Sequence, residues 1–116
     1  MCVPLGNPTI INGAFATPFG ATGNYVLTEG SMLILSFRCH DVVVRGENVT
    51  QVVLAQDCQN IKLSLGFSGT IFINEFCKNI FIDIVGQSAE QILESPTQWK
   101  LKDNCTNIIL NGKKIV

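Results

Sequence analysis

The stretch CQNIKLSLGFSGTIFINEFCKNIFIDI, which runs from Cys58 to Ile84, contains a phrase that opens on cysteine and opens again 19 residues later. After the second cysteine, apolar residues alternate with other residues at Ile80, Ile82 and Ile84. Alternation with a period of two among β-branched side chains is typical of a β-strand, and helical spacing is absent. A further alternating run, TIFIN, precedes Cys77, so the repeated unit contains two short strands.

The repeat extends in both directions from this stretch. Similar phrases open at Cys39, Cys58, Cys77 and Cys105, with intervals of 19, 19 and 28 residues, so the last interval is one repeat plus nine residues. In each repeat, apolar residues also stand six and four positions before the cysteine. A single repeat of this kind cannot bury its apolar side, whereas stacked repeats can. The pattern therefore predicts an all-β fold, a short parallel β-solenoid (β-helix) with about 19 residues per rung.

Two details of this solenoid follow from general rules. Parallel crossover connections are almost always right-handed, so we expect a right-handed coil. The nine extra residues should fall near Gln87–Pro96, where Ser88 and Gln91 have the spacing of a capping box for a short helical turn. An antiparallel sandwich is the competing fold, but it does not explain the constant offset of both strands from each cysteine.

Stacking would place equivalent residues of successive rungs about 4.8 Å apart. The repeat cysteines would then form an internal ladder of small apolar side chains. A second ladder would follow two positions later, with side-chain amides bonding to their neighbours, at Asp41, Asn60, Asn79 and Asn107. Metal ligation or redox chemistry is the alternative for the cysteines. No CxxC pair occurs and His40 is the single histidine, so no metal site and no cofactor are predicted.

Composition limits the class of protein. The chain has 116 residues, of which 47% are hydrophobic and 15% charged, with a formal charge of −1. Such a chain collapses into one domain, lacks the basic excess of a nucleic-acid binder, and contains no apolar run near the ~18 residues of a membrane span. We expect a cytoplasmic protein with reduced thiols, without a nucleic acid or membrane partner. The triplets Asn48–Thr50 and Asn104–Thr106 fit the glycosylation pattern and leave secretion as the alternative.

Two segments carry a resemblance to a known superfamily: CQNIKLSLGFSGTIFINEFCKNIFI, from Cys58 to Ile82, and TQWKLKDNCTNIIL, from Thr97 to Leu110. They resemble the β-helix shared by cyclase-associated proteins and tubulin-folding cofactor C. The resemblance implies the same fold and a protein partner, either an actin monomer or a small GTPase. Members like cofactor C activate GTPases through an arginine, near whose position this chain has Lys100. Lysine lacks the planar fork of donors that stabilises a phosphoryl transition state, so binding without activation is implied.

Two outward columns of the predicted solenoid are apolar where a solvated face would be polar. Outward positions lie between the inward ones, because successive side chains of a strand alternate. One column contains Ile34, Val53, Phe72 and Lys100, and the other contains Val43, Lys62, Phe81 and Ile109. Apolar stripes of this kind require a cover, from the same chain or from a partner. We therefore predict a non-catalytic protein-interaction module, whose partner-binding residues are all members of the two columns other than Lys62.

Residues 1–28 differ in composition from the rest. They contain no charged side chain and three of the four prolines. We expect an arm or cap here, outside a solenoid domain that spans residues 29–116. The arm would either pack along its own solenoid or be exchanged between copies. Exchange would make this a self-assembling structural protein, as in viral or filament lattices.

The C-terminal end is basic and short. Residues 1–99 carry four basic and eight acidic side chains, whereas residues 100–116 carry four lysines and Asp103. After the Cys105 rung the chain is too short for another, and the Asn111-Gly112 pair suits a tight turn. We expect Lys113, Ile115 and Val116 to pair with a second copy, which gives a homo-oligomer, most simply a dimer.

Catalytic residues are not found in the pattern. Asp83 faces outward with Ser64 and Asn111 as its predicted neighbours, so no carboxylate pair is available for acid–base chemistry. Cys39 and His40 are adjacent in sequence and would point in opposite directions. We therefore predict that the protein is not an enzyme. A small carbohydrate-active β-helix is a further alternative, which would require a carboxylate pair in a long groove.

Overall fold

The structure is a computed structural model, and it describes residues 7–66 and 68–116. The strands are β1 (Thr9–Ile11), β2 (Ala14–Ala16), β3 (Gly23–Leu27), β4 (Met32–Leu35), β5 (His40–Gly46), β6 (Val49–Leu54), β7 (Gln59–Leu65), β8 (Ser68–Ile73), β9 (Lys78–Ile84), β10 (Trp99–Leu101), β11 (Thr106–Leu110) and β12 (Lys113–Lys114). One short helix, α1 (Ala89–Leu93), lies between β9 and β10.

Successive strands alternate between two sheets. Sheet 1 has the order β1-β3-β5-β7-β9-β11-β12, and sheet 2 has the order β2-β4-β6-β8-β10. All neighbouring strands are parallel except β11 and β12. In sheet 1, Val44 lies beside Leu63 and Leu63 beside Ile82, a register of 19 residues per rung. The predicted parallel β-solenoid is confirmed, and the parallel pairing excludes the antiparallel sandwich.

The core lies between the two sheets and consists of columns of apolar side chains. Leu63 and Ile61 of sheet 1 are fully buried, as are Val52 and Ile71 of sheet 2. Burial of one such aliphatic side chain stabilises the fold by about 1.5–3 kcal/mol. Because every rung supplies the same inward positions, stacking is what removes them from water.

Each cysteine corner contains two residues with left-handed backbone, one before the cysteine and one two positions after it. At the Cys58 corner, φ is 64° for Asp57 and 56° for Asn60. Asn and Asp tolerate this conformation better than most residues, which explains their recurrence at the second position. The predicted amide ladder is confirmed: Asn79 Nδ2 donates to Asn60 Oδ1 at 3.1 Å, and Asn107 Nδ2 donates to Asn79 Oδ1 at 2.8 Å.

The cysteines form the predicted internal ladder. Cys39, Cys58 and Cys77 are fully buried, and Cys105 is partly buried. Each thiol points to a backbone carbonyl of the preceding rung; Cys58 Sγ, for example, lies 3.3 Å from the carbonyl oxygen of Ser36. Contact with the neighbouring Cys58 thiol lowers the pKa of Cys39, and contact with the Cys39 thiol raises the pKa of Cys58.

The inserted residues form the expected helical turn. Ser88 caps α1: its hydroxyl accepts from the Gln91 N–H at 3.2 Å, and the Gln91 side chain accepts from the Ser88 N–H at 2.9 Å. This is the capping box that the spacing indicates. Ala89 and Ile92 of α1 are buried against the core. In the described part of the chain, no helix is long and apolar enough to cross a membrane.

The first rungs differ from the expectation of an arm over residues 1–28. β1 and β3 belong to sheet 1 and β2 belongs to sheet 2, so the solenoid starts well before residue 29. Gly20 and Gly23 provide the two left-handed positions of a corner, with Ala21 where later rungs have cysteine. Because β1 and β2 are short and this corner has no cysteine, the repeat is not visible in the sequence. The part of the expected arm at residues 1–6 lies outside the described residues.

The C-terminus also differs from its expected use. Left-handed backbone at Asn111 and Gly112 turns the chain so that β12 pairs antiparallel with β11 of the same molecule. The Ile115 N–H donates to the Ile108 carbonyl at 2.8 Å, and the Ile108 N–H donates to the Val116 carbonyl at 3.2 Å. The strand assigned to a second copy is therefore used within the chain. A tight turn delivers it to this edge without the entropy cost of association.

Candidate functional site

The outer face of sheet 2 carries the first of the two predicted columns. Ile34 lies beside Val53, Val53 beside Phe72, and Phe72 beside Lys100, in register across four strands. The three apolar side chains are partly exposed and Lys100 is exposed. Ala16 of β2 lies beside Ile34 and continues the column to a fifth strand.

A second uncharged column runs alongside it. The sheet 2 face is defined by both columns: Ala14, Ala16, Met32, Ile34, Gln51, Val53, Thr70, Phe72 and Lys100. Among these side chains only Lys100 is charged, and it lies at one end. Its Nζ is 5.8 Å from the centre of the Phe72 ring, a cation–π contact.

The second predicted column lies on the outside of sheet 1. Val43, Phe81 and Ile109 face outward there as predicted, together with Lys62. The sheet 1 face is defined by this column and its neighbour: Asn24, Val26, Val43, Arg45, Lys62, Ser64, Phe81, Asp83 and Ile109. It carries charges of both signs. Because the core separates the sheets, the seven residues predicted to bind a partner lie on two opposite faces and do not form one site.

The three residues predicted to contact a second copy have different surroundings. Ile115 is partly buried against the core, and Val116 is 46% exposed. Lys113 Nζ lies 3.3 Å from Glu90 Oε1, and both side chains are exposed. An exposed ion pair of this kind contributes little to stability.

A groove of about 730 Å³ runs along the cysteine corners. Because the corner cysteines point inward, the residues directly before and after them point outward and form its two sides. The corner groove is lined by Gly20, Arg38, His40, Asp57, Gln59, Phe76, Lys78, Asn104 and Thr106. Sequence reasoning missed this groove because its residue types change from rung to rung. The signal that could have revealed the groove is that its lining residues other than Gly20 stand directly before or after a repeat cysteine.

The charged groups of the corner groove lie in its first three cysteine rungs. His40 Nδ1 is 3.1 Å from Asp41 Oδ2, and this hydrogen bond lowers the pKa of Asp41. Within residues 7–66 and 68–116, the ion pair between a lysine and a carboxylate is Lys113–Glu90. Arg38, Asp57 and Lys78 are exposed residues in the lining of the corner groove.

A smaller concavity of about 280 Å³ lies at the opposite corner of sheet 1. Asp83 and Ser64 line it as the sequence predicts, and Glu47 and Arg45 line it as well. Asp83 is thus not the single carboxylate of this region. Glu47 and Asp83 are both exposed residues.

In the described ranges, no three side chains of His, Cys, Asp or Glu are grouped so that they could hold a metal ion. No protein-family model matches the chain, and neither the curated proteins nor the solved structures include a match. The resemblance to the cyclase-associated superfamily therefore stays a hypothesis.

Proposed function

We propose that this protein is a non-catalytic interaction module that binds a protein partner through the sheet 2 face. The observation that carries the proposal is the uncharged column of Ile34, Val53 and Phe72, side by side on the outside of the sheet. Covering apolar surface contributes about 25 cal/mol per Å² removed from water. A partner that covers this face gains from every rung, whereas the charged sheet 1 face would have to be desolvated.

The charges around the sheet 2 face specify the chemistry of the partner. Lys100 stands at one end, and Lys102 is exposed two positions later. The complementary surface is therefore apolar at its centre and acidic at the end that meets β10. An actin monomer or a small GTPase is the partner class that the superfamily resemblance implies.

Three features support binding without catalysis in a cytoplasmic protein. The superfamily resemblance implies that Lys100 lies near the position of the arginine that activates GTPases, and Glu47 and Asp83 are both exposed. The four repeat cysteines are free thiols, the state that a reducing compartment maintains.

Binding of purified monomeric actin and of purified small GTPases tests the proposal. Phe72→Asp should weaken binding at least about tenfold, which corresponds to about 1.4 kcal/mol. Phe81→Asp makes the same change on the sheet 1 face and should alter the affinity less than twofold. The GTP hydrolysis rate should not change when the protein is added. Equal losses in the two variants, or no binding to either class of partner, would contradict the proposal.

A self-assembling structural protein is the second candidate, and the first rung favours it. Phe15 of β2 is 39% exposed, although it lies in register with Leu33 of the next rung, which is fully buried. A second copy that covers this end would give the homodimer, or a larger assembly. Light scattering over a concentration series should then show a mass that falls in Phe15→Ser. A monomer at every concentration excludes this candidate.

A further inference from the structure

The corner groove has a length that suits an elongated ligand. It extends from Gly20 to Thr106 and crosses five successive corners of the solenoid. With rungs about 4.8 Å apart, this path is roughly 19 Å long. Its volume of about 730 Å³ lies within the range of about 300–1,000 Å³ that is usual for ligand sites. A compact metabolite would occupy only part of it.

The chemistry of the corner groove changes from rung to rung. Arg38 and His40 stand together at one rung, and Lys78 stands two rungs further along with Phe76. The rung between them contributes Asp57 and Gln59, which accept and donate hydrogen bonds. Arg38 and Lys78 are therefore about 10 Å apart along the solenoid axis, with a hydrogen-bonding rung that carries a negative charge between them.

An apolar surface accompanies these polar groups. Phe76 lines the groove and is 52% exposed. Phe19 and Phe37 are 65% and 51% exposed near the same corners, and the Arg38 guanidinium carbon lies 5.8 Å from the Phe19 ring centre. Exposed aromatic rings beside hydrogen-bonding side chains suit a ligand with apolar C–H faces and polar edges. A pyranose ring has this combination.

The repeat length separates a glycan from other chain molecules. In an extended peptide, side chains on one face recur about every 6.6 Å, which does not match the rungs. A single-stranded nucleic acid places a phosphate on every nucleotide, and Asp57 would oppose the central ones. In an extended glycan, one sugar advances about as far as one rung. Acidic groups on alternate sugars would thus meet Arg38 and Lys78 in turn.

We propose that the corner groove binds an extended acidic oligosaccharide in which acidic and neutral sugars alternate, and that it does not cleave the chain. Arg38 and Lys78 pair with the carboxylates of two acidic sugars, and the guanidinium can make a bidentate contact. Asp57 and Gln59 bond to hydroxyl and amide groups of the neutral sugar between them. The Phe76 ring packs against a sugar face. This site is separate from the sheet 2 face and does not depend on the function proposed for it.

Calorimetric titration with defined oligosaccharides tests this site. The probe is a hyaluronan hexasaccharide, in which glucuronate and N-acetylglucosamine alternate. We expect a dissociation constant at or below about 1 mM, at least about fivefold weaker in Lys78→Ala and in Arg38→Ala. Lys62→Ala is the matched control, because Lys62 is an exposed lysine of the same sheet as Lys78 but lies outside the groove. The affinity of this variant for the probe should change less than twofold.

Two further ligands make the result decisive. Chitohexaose has the same neutral sugar without the acid, and a hexaglutamate peptide has the acid without the sugar. Both should bind at least about tenfold more weakly than the hyaluronan probe. Equal binding of chitohexaose or of the peptide would overturn the proposal. Absence of binding to the hyaluronan probe, or an equal loss in Lys62→Ala and Lys78→Ala, would overturn it as well. Circular dichroism of each variant checks that it is folded.

Discussion

The outer faces of the two sheets are built from the same repeat, yet their side chains differ in charge. The sheet 1 face carries Arg45, Lys62 and Asp83 on its central strands, whereas the sheet 2 face carries only Lys100, at its end. The inner faces of the same strands are uniformly apolar. Stacking constrains the inner positions of every rung equally. Stacking does not constrain the outer positions in this way, so their residue types differ between the two faces.

The arrangement of charges on the sheet 1 face follows from the short distance between rungs. Arg45, Ser64 and Asp83 occupy one column in this order, so no two like charges are adjacent among these three residues. Like charges directly beside each other would destabilise a sheet. Repulsion between like charges does not arise in the sheet 2 column, because its central members are apolar. One face is adapted to water and the other can be covered at low cost in desolvation.

The largest expected effect separates the inner from the outer face of one strand. Leu63 is fully buried, and Ser64 beside it faces outward. Leu63→Asp would bury an unpaired carboxylate, at a cost of several kcal/mol, comparable to the stability of a domain of this size. We expect Leu63→Asp to be unfolded in thermal melts and Ser64→Asp to be folded. Similar melts for both variants would show that the inward and outward assignment is wrong.

The next expected effect is on the rate at which the corner cysteines react with a thiol reagent. Cys58 and Cys77 are fully buried, whereas Cys105 is partly exposed. A bulky thiol reagent reaches a buried cysteine only when the structure opens, so we expect labelling at least about a thousandfold slower than in urea. Cys105 should react before Cys58 and Cys77 in mass spectrometry. Cys2, expected to react first of all, lies outside the described residues. Rapid native labelling of Cys58 would exclude the internal ladder.

Two glycines, one at each sheet, differ in how much space an added Cβ would have. A Cβ on Gly69 in β8 of sheet 2 would overlap the Thr50 carbonyl oxygen, whereas on Gly66, after β7 of sheet 1, it would lie 3.0 Å from the Glu47 Cγ. The backbone of Thr50 cannot yield as easily as an exposed side chain. We expect Gly69→Ala to lower the free energy of unfolding by about 2–3 kcal/mol and Gly66→Ala by about 1 kcal/mol or less. Urea titration measures both, and the reverse order would contradict this account.

The amide ladder belongs to sheet 1. Its contribution to the free energy of unfolding can be divided between the amide hydrogen bonds and the tolerance of asparagine for left-handed backbone. Asn79 has a left-handed backbone, with φ of 57°, and bonds to Asn60 and Asn107. Asn79→Ala should cost about 2 kcal/mol, through the strained backbone and the lost amide bonds. Asn79→Gly also loses the amide bonds, but glycine adopts the left-handed backbone without strain, and this gain exceeds its larger entropy cost; it should recover about half of that loss. If the two variants have equal stability in urea, backbone strain does not contribute at this corner.

The smallest expected effect compares the two outer faces directly. Phe72→Ser and Phe81→Ser each remove a partly exposed ring, so each should change the free energy of unfolding by less than about 1 kcal/mol. Binding of a dye that fluoresces on apolar surfaces should fall more in Phe72→Ser, because the sheet 2 face surrounds this residue with uncharged side chains. An equal fall in both variants would remove the distinction between the faces.

Much of the fold can be predicted because the same strand pattern occurs in several successive repeats. The cysteine interval, the two strands at constant offset, and the Ser88–Gln91 capping box each rest on local rules that the surroundings do not override. The first rungs could not be recognised, since Gly20, Ala21 and Gly23 meet the same backbone requirements with different residues. The use of β12 could not be predicted either, because a short strand pairs equally well with its own chain or with another.

The sequence by itself determined the β-solenoid, its rung length, the inward and outward positions, and both ladders of the corner. These properties repeat along the chain, and stacking imposes the same demand on each rung. Only the tertiary structure decided that the two apolar columns lie on opposite faces, and that residues beside the cysteines form a groove. Both features depend on how rungs and sheets lie next to each other, and neither leaves a repeated residue pattern in the sequence. The physical reason is that stacking selects the inner side chains, whereas the outer ones acquire neighbours only when the chain has coiled.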